Sequence, residues 1–220
     1  ILPLTAAEPG RWRTQRTPSL REIMDAFSDR LVERVVFMKG SQVGGSEALM
    51  NAIGFFIDQE PTTVLIVQFS DGEAEKFSKE RIAPMIRDCP ALAARVSTPR
   101  KKDSGNTIEA KEFPGGHLGI VGANAPAKLA SRPRRVVLFD EVDRYPASAG
   151  NEGDPVEVAG KRPSTHWNRQ IGMISSPTVR GHSRIEQAFE ESDGRYYLVP
   201  CPHCGHEQRL VWERVRWEKQ

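Results

Sequence analysis

One loop of the chain carries side chains suited to binding phosphate. It precedes a predicted helix and consists of Lys39, Gly40, Ser41, Gln42, Val43, Gly44, Gly45 and Ser46. The backbone N–H groups of such a loop can wrap phosphate oxygens, and a Ser hydroxyl can bind Mg²⁺. The loop departs from the common G-x-x-x-x-G-K-[ST] pattern, because Gly45 stands at the lysine position and Lys39 at the first glycine. A lysine there can still reach the phosphates across the loop, although a turn that binds no ligand explains the pattern as well.

A pair of carboxylates follows an apolar segment further along the chain. Asp140 and Glu141 come directly after residues 136–139, which are Val, Val, Leu and Phe. In a nucleotide hydrolase the first carboxylate at such a strand end holds Mg²⁺, and the second polarises the attacking water. Acidic pairs also close strands for solubility alone. An acidic pair downstream of a Lys/Gly/Ser loop nevertheless favours a nucleotide site.

Small hydroxyl residues lie at the predicted end of the next strand, in the segment Ser175, Ser176, Pro177 and Thr178. Polar side chains at this place could sense the γ-phosphate of a nucleotide and transmit its loss to another surface. Without the two preceding motifs, the segment would be interpreted as an ordinary Ser-Pro turn.

The order of apolar and amphipathic segments indicates which elements position these residues. Apolar strands are predicted at 34–38, 63–69, 135–139 and 171–175, and helices at 46–58, 71–88 and 183–191. Another helix is predicted after Ser19, whose spacing to Glu22 is typical of a capping box, and a hairpin pairs 107–113 with 117–121. Apolar strands that alternate with helices are buried on both faces. The sequence therefore predicts an α/β fold with a mainly parallel sheet flanked by helices, plus a β-hairpin insertion.

Composition narrows the class of protein. The chain has 220 residues, a net charge of +2 and no apolar run near the ~20 residues of a membrane span. Three cysteines are too few for a disulfide scaffold and fit a reducing compartment. Acid-free basic stretches at 95–102, 128–135 and 158–185 could bind a phosphate backbone, or could form ordinary solvated faces.

In combination, the three motifs resemble those of the large terminase subunit of tailed bacteriophages, with the lambda-type branch matching best. The resemblance extends over nearly the whole chain, from 18–25 (PSLREIMD) to 199–205 (VPCPHCG). A lysine displaced to the start of the loop is a habit of that family. The resemblance implies a P-loop NTPase of the additional-strand, catalytic-glutamate type. Such a motor hydrolyses ATP to translocate double-stranded DNA into a procapsid, and the full-length protein is also expected to be an endonuclease.

The resemblance also implies roles for individual residues. Residues 39–46 would bind ATP phosphates, with Ser46 and Asp140 on Mg²⁺, while Glu141 would be the catalytic base. Residues 175–178 would couple hydrolysis to DNA movement. Packaging motors place a trans-acting arginine before the acidic strand, and Arg132 is the candidate. The predicted DNA contacts are Arg100, Lys101, Lys102, Arg134 and Arg135.

The expected domain organisation is an ATPase domain at 1–192 with an N-terminal extension at 1–30, then a linker and half of a zinc ribbon at 193–220. Cys201 and Cys204 form one C-x-x-C knuckle, and the resemblance puts the second cysteine pair for Zn²⁺ beyond Gln220, where the nuclease domain would also follow. The expected partners are double-stranded DNA, the portal protein, the small terminase subunit and further copies of the chain in a ring. The expected location is the host cytoplasm, and no membrane is expected among the partners.

Two alternatives remain open from the sequence. A DNA helicase or restriction-type translocase uses the same core, although it usually brings a second motor-like domain. A non-catalytic DNA-binding module with a degenerate nucleotide loop would carry the same motifs without activity. Rates of ATP hydrolysis for the wild type, Lys39→Ala and Glu141→Gln separate the enzyme from the inactive module.

Overall fold

A six-stranded sheet forms the centre of the computed structural model, which describes residues 2, 8–96 and 106–217. Its strands are β1 (Arg34–Met38), β2 (Thr63–Gln68), β3 (Ala110–Phe113), β4 (Gly116–Gly122), β5 (Val136–Asp140) and β6 (Gln170–Ser175). The order is β1-β6-β5-β2-β4-β3. All neighbouring pairs are parallel except the β3–β4 hairpin. The predicted mainly parallel sheet with a hairpin insertion is confirmed.

Short and medium helices connect and cover these strands. They are α1 (Arg21–Ala26), α2 (Gly45–Asp58), α3 (Asp71–Phe77), α4 (Ala83–Asp88), α5 (Pro90–Arg95), α6 (Pro126–Leu129), α7 (Pro155–Gly160) and α8 (Arg184–Glu190). A π-helical turn, Ser78–Ile82, joins α3 to α4, so the helix predicted at 71–88 is interrupted by one widened turn. Ser183 caps α8 by accepting a hydrogen bond from the Glu186 N–H.

The sheet is buried on both faces because its central strands are apolar throughout. On β5, Val136 and Leu138 belong to the hydrophobic cluster that includes α1 and α2, whereas Val137 and Phe139 belong to the cluster that includes α7 and α8. Successive strand side chains point to opposite faces, so one apolar run serves two layers. All five residues of β5 are buried.

The capping box predicted at Ser19 is wrong. Pro18–Leu20 forms a 3₁₀ turn, and α1 begins at Arg21 without a side-chain hydrogen bond at its N-cap. The fully buried Leu20 anchors this segment instead. Its Cδ1 lies 3.0 Å from where a Cβ on Gly44 would stand, so the turn packs directly against the loop that follows β1.

A small antiparallel hairpin follows α8, formed by β7 (Val199–Pro200) and β8 (Glu207–Gln208). Cys201 and Cys204 lie in the turn between its strands. Within the described residues, no helix combines the length and the apolar character that crossing a membrane demands.

The parallel strands bring distant segments of the chain to one edge of the sheet. Lys39 follows β1, and Gln68, Asp140 and Ser175 are the last residues of β2, β5 and β6. Because β1, β6, β5 and β2 are neighbours and parallel, their carboxyl ends meet there. This edge is the place where ligands bind in open α/β sheets.

Candidate nucleotide site

The loop between β1 and α2 has the backbone form of an anion cradle. Its first residues, from Gly40 to Val43, are exposed. The backbone enters the left-handed region at Gln42, with φ 59°, and again at Gly44, with φ 86°. Such turns aim successive N–H groups at one concave surface, and α2 begins directly behind them at Gly45. Loop and helix N-terminus together can bind phosphate oxygens.

The side chain of Lys39, at the start of the loop, passes directly over Gly45 at its end. A Cβ on Gly45 would lie 2.4 Å from both Cδ and Cε of Lys39, and 2.9 Å from Cγ2 of Ile174. The lysine stem therefore occupies the space that a side chain at residue 45 would need. This explains why a glycine stands where the common pattern has its lysine: the amino group reaches the same region from the opposite end of the loop.

The Lys39 amino group is buried against two of the predicted motifs. Nζ donates to Glu141 Oε1 at 2.8 Å and to Ser176 Oγ at 3.3 Å. The lysine side chain is 6% exposed and the glutamate side chain 23%. The phosphate loop, the carboxylate pair and the hydroxyl segment, predicted separately from the sequence, are thus joined through one amino group.

Asp140, the other carboxylate of the pair, accepts hydrogen bonds from two neutral side chains. The Ser46 hydroxyl donates to Asp140 Oδ2 at 3.0 Å, and the Gln68 amide donates to the same oxygen at 3.3 Å. Burial raises the pKa of the Asp140 carboxyl, although the Gln68 and Ser46 hydrogen bonds act in the opposite direction. A hydroxyl paired with a carboxylate at the head of a phosphate loop is the oxygen donor set that Mg²⁺ prefers, so these residues fit the ion.

Glu141 has an unusual backbone. Its φ is 55°, in the left-handed region that costs a non-glycine residue roughly 1–2 kcal/mol. The conformation is held by the Glu141 N–H, which donates to Ile174 O at 2.7 Å, and by the 3₁₀ turn Val142–Arg144 behind it. Backbone strain of this kind concentrates at functional sites. It turns the Glu141 side chain away from the strand direction and toward Lys39.

The segment at the end of β6 extends from the core to the surface. Ser175 is buried, Ser176 is half-buried against Lys39, and Pro177 and Thr178 are exposed. Thr178 donates to Asp143 Oδ2 through both its N–H and its hydroxyl, each at 2.9 Å. The predicted coupling segment therefore contacts both the loop lysine and the turn after the carboxylate pair.

Two of the predicted DNA contacts are buried. The Arg135 side chain is 6% exposed, donates to Glu60 Oε1 at 2.8 Å and lies over the Phe56 ring. Arg134 is also buried, and its guanidinium contacts His117 Nδ1. Burial, together with Arg134, lowers the pKa of His117, which makes the ring a neutral acceptor. Burial of both side chains argues against the predicted DNA contacts at Arg134 and Arg135, because the two side chains bind other residues at the amino edge of the sheet.

The remaining basic candidates differ in position. Arg100, Lys101 and Lys102 lie outside the described residues. Arg132 is exposed in the loop before β5, at the amino edge of the sheet. Since β5 has five residues of about 3.3 Å rise each, Arg132 is separated from Asp140 by the length of the strand. Arg132 therefore does not reach the carboxylate pair of its own chain.

Cys201 and Cys204 supply two thiols to the turn of the β7–β8 hairpin. The Cys201 N–H donates to His206 O and the Gly205 N–H donates to Cys201 O, both at 2.8 Å. Hydrogen bonds from the backbone of His203 and Cys204 lower the pKa of Cys201. Among the residues that the structure describes, no group of three or more His, Cys, Asp or Glu side chains could hold a metal ion.

Three residues at this edge were not predicted to contribute to the nucleotide site. Gln68 holds Asp140, Asp143 binds Thr178, and Arg184 donates to Pro146 O at 2.8 Å and to Tyr145 O at 3.0 Å. The only signal for Gln68 in the sequence is a buried-strand pattern that ends in an amide. Asp143 was visible within the segment that follows the carboxylate pair, but nothing local shows that its partner is 35 residues away.

A glycine-rich loop after β1, a buried carboxylate at the end of β5 and a glutamate directly after it are the arrangement of an α/β fold of the P-loop NTPase type. Residues 6–220 match the family of the phage terminase large subunit gpA, ATPase domain. The chain belongs to this family, and the resemblance seen in the motifs is confirmed.

Two curated relatives and one solved structure illustrate the similarity. The terminase large subunit of Escherichia phage lambda is 34% identical over 209 residues, which cover 94% of this chain and 32% of that protein. The counterpart of Enterobacteria phage P21 is 32% identical over 221 residues, covering 96% and 34%. The chain thus spans about a third of the length of these relatives. A mutant large terminase ATPase domain of Thermus phage P74-26 matches the fold with a TM-score of 0.53, over 81% of this chain and 72% of that chain at 18% identity.

Proposed function

We propose that this domain hydrolyses ATP and that the hydrolysis drives double-stranded DNA into a viral procapsid. The observation that carries the ATPase proposal is the junction at the carboxyl edge of the sheet. Lys39 meets Glu141, 102 residues away, and Ser46 meets Asp140, 94 residues away. Such long-range convergence of four chemically matched groups is not expected of a degenerate loop. Membership of the terminase family supports the packaging role.

The triphosphate would lie on the loop 40–46, with its oxygens facing the backbone N–H groups and the N-terminus of α2. A groove of about 520 Å³ beside β1 offers a place for the base and ribose. Pro18, Ser19 and Met38 are among the residues that line it. Leu20, which follows Ser19 directly, packs against Gly44 of the phosphate loop. The groove thus lies on the flank of the phosphate loop.

Mg²⁺, when bound by Ser46 and Asp140, would neutralise charge on the phosphate oxygens. Gln68 keeps the Asp140 carboxylate oriented toward Ser46. Because Asp140 is buried and its hydrogen bonds come from neutral donors, a cation is the partner that would compensate its charge most fully.

Hydrolysis needs a base and a cation in separate places. In the structure Lys39 and Glu141 neutralise each other, so the γ-phosphate must take over the Lys39 amino group before Glu141 is free. The carboxylate then accepts a proton from water, whose oxygen attacks the γ-phosphorus in line as the bond to the ADP oxygen breaks. Ser176 would keep its contact with Lys39 when no phosphate is bound and lose it when the γ-phosphate takes the amino group. Ser176 is therefore the first residue of the coupling segment that would respond to the nucleotide.

The test is ATP hydrolysis by the full-length protein with DNA and its packaging partners. Glu141→Gln removes the base and should lower kcat by about 10³-fold, within the usual range for general base catalysis. Lys39→Ala should lower kcat/KM by at least about 100-fold. Lys76→Ala, at an exposed lysine on α3, is the matched control. Equal rates in all four proteins would refute the ATPase proposal.

The wider assignments belong to the same proposal. We place Arg132 at the active site of the neighbouring copy in a ring, and double-stranded DNA against Arg100, Lys101 and Lys102. The portal protein and the small terminase subunit are the proposed partners in the host cytoplasm. We assign 1–192 to the ATPase domain, with the extension 1–30, and 193–220 to the linker toward a nuclease domain.

The hairpin that carries Cys201 and Cys204 is proposed to be half of a Zn²⁺ site in the full-length protein, completed by a second cysteine pair. Its two thiols project from one turn, as a zinc knuckle requires. Metal analysis of the full-length protein should find zinc in the wild type and lose it in Cys201→Ser. Cys89→Ser, at a helix end outside the hairpin, is the control.

A further inference from the structure

The turn after the carboxylate pair is fastened to two other segments through a single side chain. Asp143 lies in the 3₁₀ turn Val142–Arg144, two residues beyond Glu141. Its Oδ2 accepts both hydrogen bonds of Thr178, and its Oδ1 accepts the Ile185 N–H at 2.9 Å. One carboxylate therefore joins the end of β5, the segment after β6 and the first turn of α8.

The same junction is closed from the other side by an arginine. Arg184 donates to the backbone oxygens of Val142, Tyr145 and Pro146, and its Nε donates to Asp154 Oδ2 at 2.8 Å. Arg184 is the first residue of α8, so the helix is attached at adjacent positions, through its own side chain and through the N–H of Ile185. Because of these paired attachments, a displacement of the turn would carry α8 with it.

The junction is also close to the atoms that face the nucleotide. Ser175 Oγ accepts the Asp143 N–H at 3.3 Å, and the next residue, Ser176, contacts the Lys39 amino group. A shift of Lys39 toward a γ-phosphate would therefore reach Asp143 through two adjacent serines. Burial alone would raise the pKa of Asp143, but hydrogen bonds from Ser183, Ile185 and Thr178 outweigh it and lower that pKa, so the carboxylate is ionised at neutral pH.

We infer that Asp143 is a positioning residue that transmits the nucleotide state from Lys39 and Ser176 to α8, and through α8 to the part of the chain that follows. The inference rests on the proposed ATPase function. It assigns to one carboxylate the mechanical link between the turn that holds Glu141 and a helix outside the nucleotide site. Asp143 touches no reacting atom and binds no ligand in this role.

The experiment is hydrogen exchange of the full-length protein with Mg²⁺ and either AMP-PNP or ADP, read at the amides of α8. In the wild type, replacing ADP by AMP-PNP should slow exchange at α8 at least tenfold. In Asp143→Asn the difference should fall below twofold, because the amide keeps a single acceptor oxygen and cannot accept from both Thr178 and Ile185, while the Kd for AMP-PNP changes less than threefold. Glu190→Gln, an equal charge change at an exposed position of α8, should keep the tenfold difference.

A second variant separates loss of the link to α8 from loss of folding. Thr178→Val removes one donor and keeps the backbone N–H, so it should reduce the difference at α8 to about threefold in a protein with an unaltered thermal midpoint. The inference is overturned if both variants retain the wild-type difference, or if nucleotide binds the wild type without altering α8. If the wild type binds no nucleotide, the proposed ATPase function fails first, and the inference fails with it.

Discussion

Two buried ion pairs lie at opposite edges of the sheet and look alike. At the carboxyl edge, Lys39 and Glu141 are 2.8 Å apart with side chains 6% and 23% exposed. At the amino edge, Arg135 and Glu60 are also 2.8 Å apart, with side chains 6% and 21% exposed. Charge and distance are the same and burial differs by only two percentage points at the glutamate, so these quantities do not distinguish a functional pair from a structural one.

The surroundings of the two pairs do distinguish them. Arg135 is packed over the Phe56 ring and also donates to Asn168 O, so its guanidinium is enclosed by the fold. Lys39 adjoins a loop whose residues 40–43 are exposed, and its partner Glu141 has a left-handed backbone. An enclosed pair resists exchange, whereas a pair beside an exposed loop can give up its lysine to an anion. We therefore expect the amino-edge pair to be permanent and the carboxyl-edge pair to be exchangeable.

The largest effect is expected from breaking the permanent pair. Arg135→Met removes the contact with Phe56 and leaves the partly buried Glu60 only its longer, 3.5 Å ion pair with Arg30. The free energy of unfolding should therefore fall by about 3 kcal/mol, roughly a 150-fold change in the folding equilibrium. Chemical denaturation of the variant measures it. Arg169→Met breaks the exposed pair with Glu33 and should cost less than about 1 kcal/mol. If Arg135→Met is as stable as Arg169→Met but weakens DNA binding, the side chain belongs to the DNA surface after all.

A smaller effect is expected from crowding the exchangeable pair. Gly45→Ala puts a methyl group into the space of the Lys39 stem, and a displacement of about 1 Å at an active site can cost about 100-fold in kcat/KM. Gly54→Ala is the control on the same helix, because its Cβ would meet Leu92 Cδ1 at an ordinary 3.8 Å. Steady-state ATP hydrolysis compares the two. Equal activity of both variants would mean that Lys39 need not cross the loop at Gly45.

The smallest of the three effects concerns two glutamine side chains, Gln68 at the carboxyl end of β2 and Gln170 at the amino end of β6. Gln68→Leu removes the neutral donor to Asp140, and loss of such a supporting hydrogen bond should weaken Mg²⁺ binding in the presence of AMP-PNP by about tenfold. Gln170→Leu removes a buried amide at the opposite edge, where it donates to the backbone of Asp29 and Val32. That variant should lose stability with unchanged Mg²⁺ affinity. Titration with Mg²⁺ at fixed nucleotide decides, and identical Mg²⁺ affinities for the two variants would contradict the role of Gln68.

The parts of the fold that were predicted correctly are those coded by neighbouring residues. The bounds of β1 agree with the prediction, and those of β5 and β6 agree within one residue, because an apolar run between polar residues specifies a buried strand directly. The loop 39–46 and the pair Asp140 and Glu141 were recognised for the same reason: each motif lies within a few residues. Parallel strands then bring their carboxyl ends together, so convergence of the motifs follows from topology.

What could not be predicted depends on partners far along the chain. From the sequence, Arg135 resembles a solvated basic residue. Only the structure shows that Glu60 and Phe56, which precede β2 in the chain, contact its guanidinium. Ser19 has the spacing of a helix cap, but burial of Leu20 against Gly44 sets a 3₁₀ turn there instead. Gln68 and Asp143 acquire their roles only through hydrogen bonds to residues distant in the chain, and no local sequence pattern indicates such contacts.

The most direct test of the distinction between the two pairs is the affinity for nucleotide when each cation is removed. Isothermal titration of AMP-PNP with Mg²⁺ into the full-length protein would compare Lys39→Met with Arg135→Met. A charge-assisted hydrogen bond to phosphate is worth about 1.5–3 kcal/mol, so Lys39→Met should bind at least about tenfold more weakly than the wild type. Arg135→Met should bind within about twofold at a temperature where it is folded. Wild-type affinity in Lys39→Met, or a larger loss in Arg135→Met, would contradict the account.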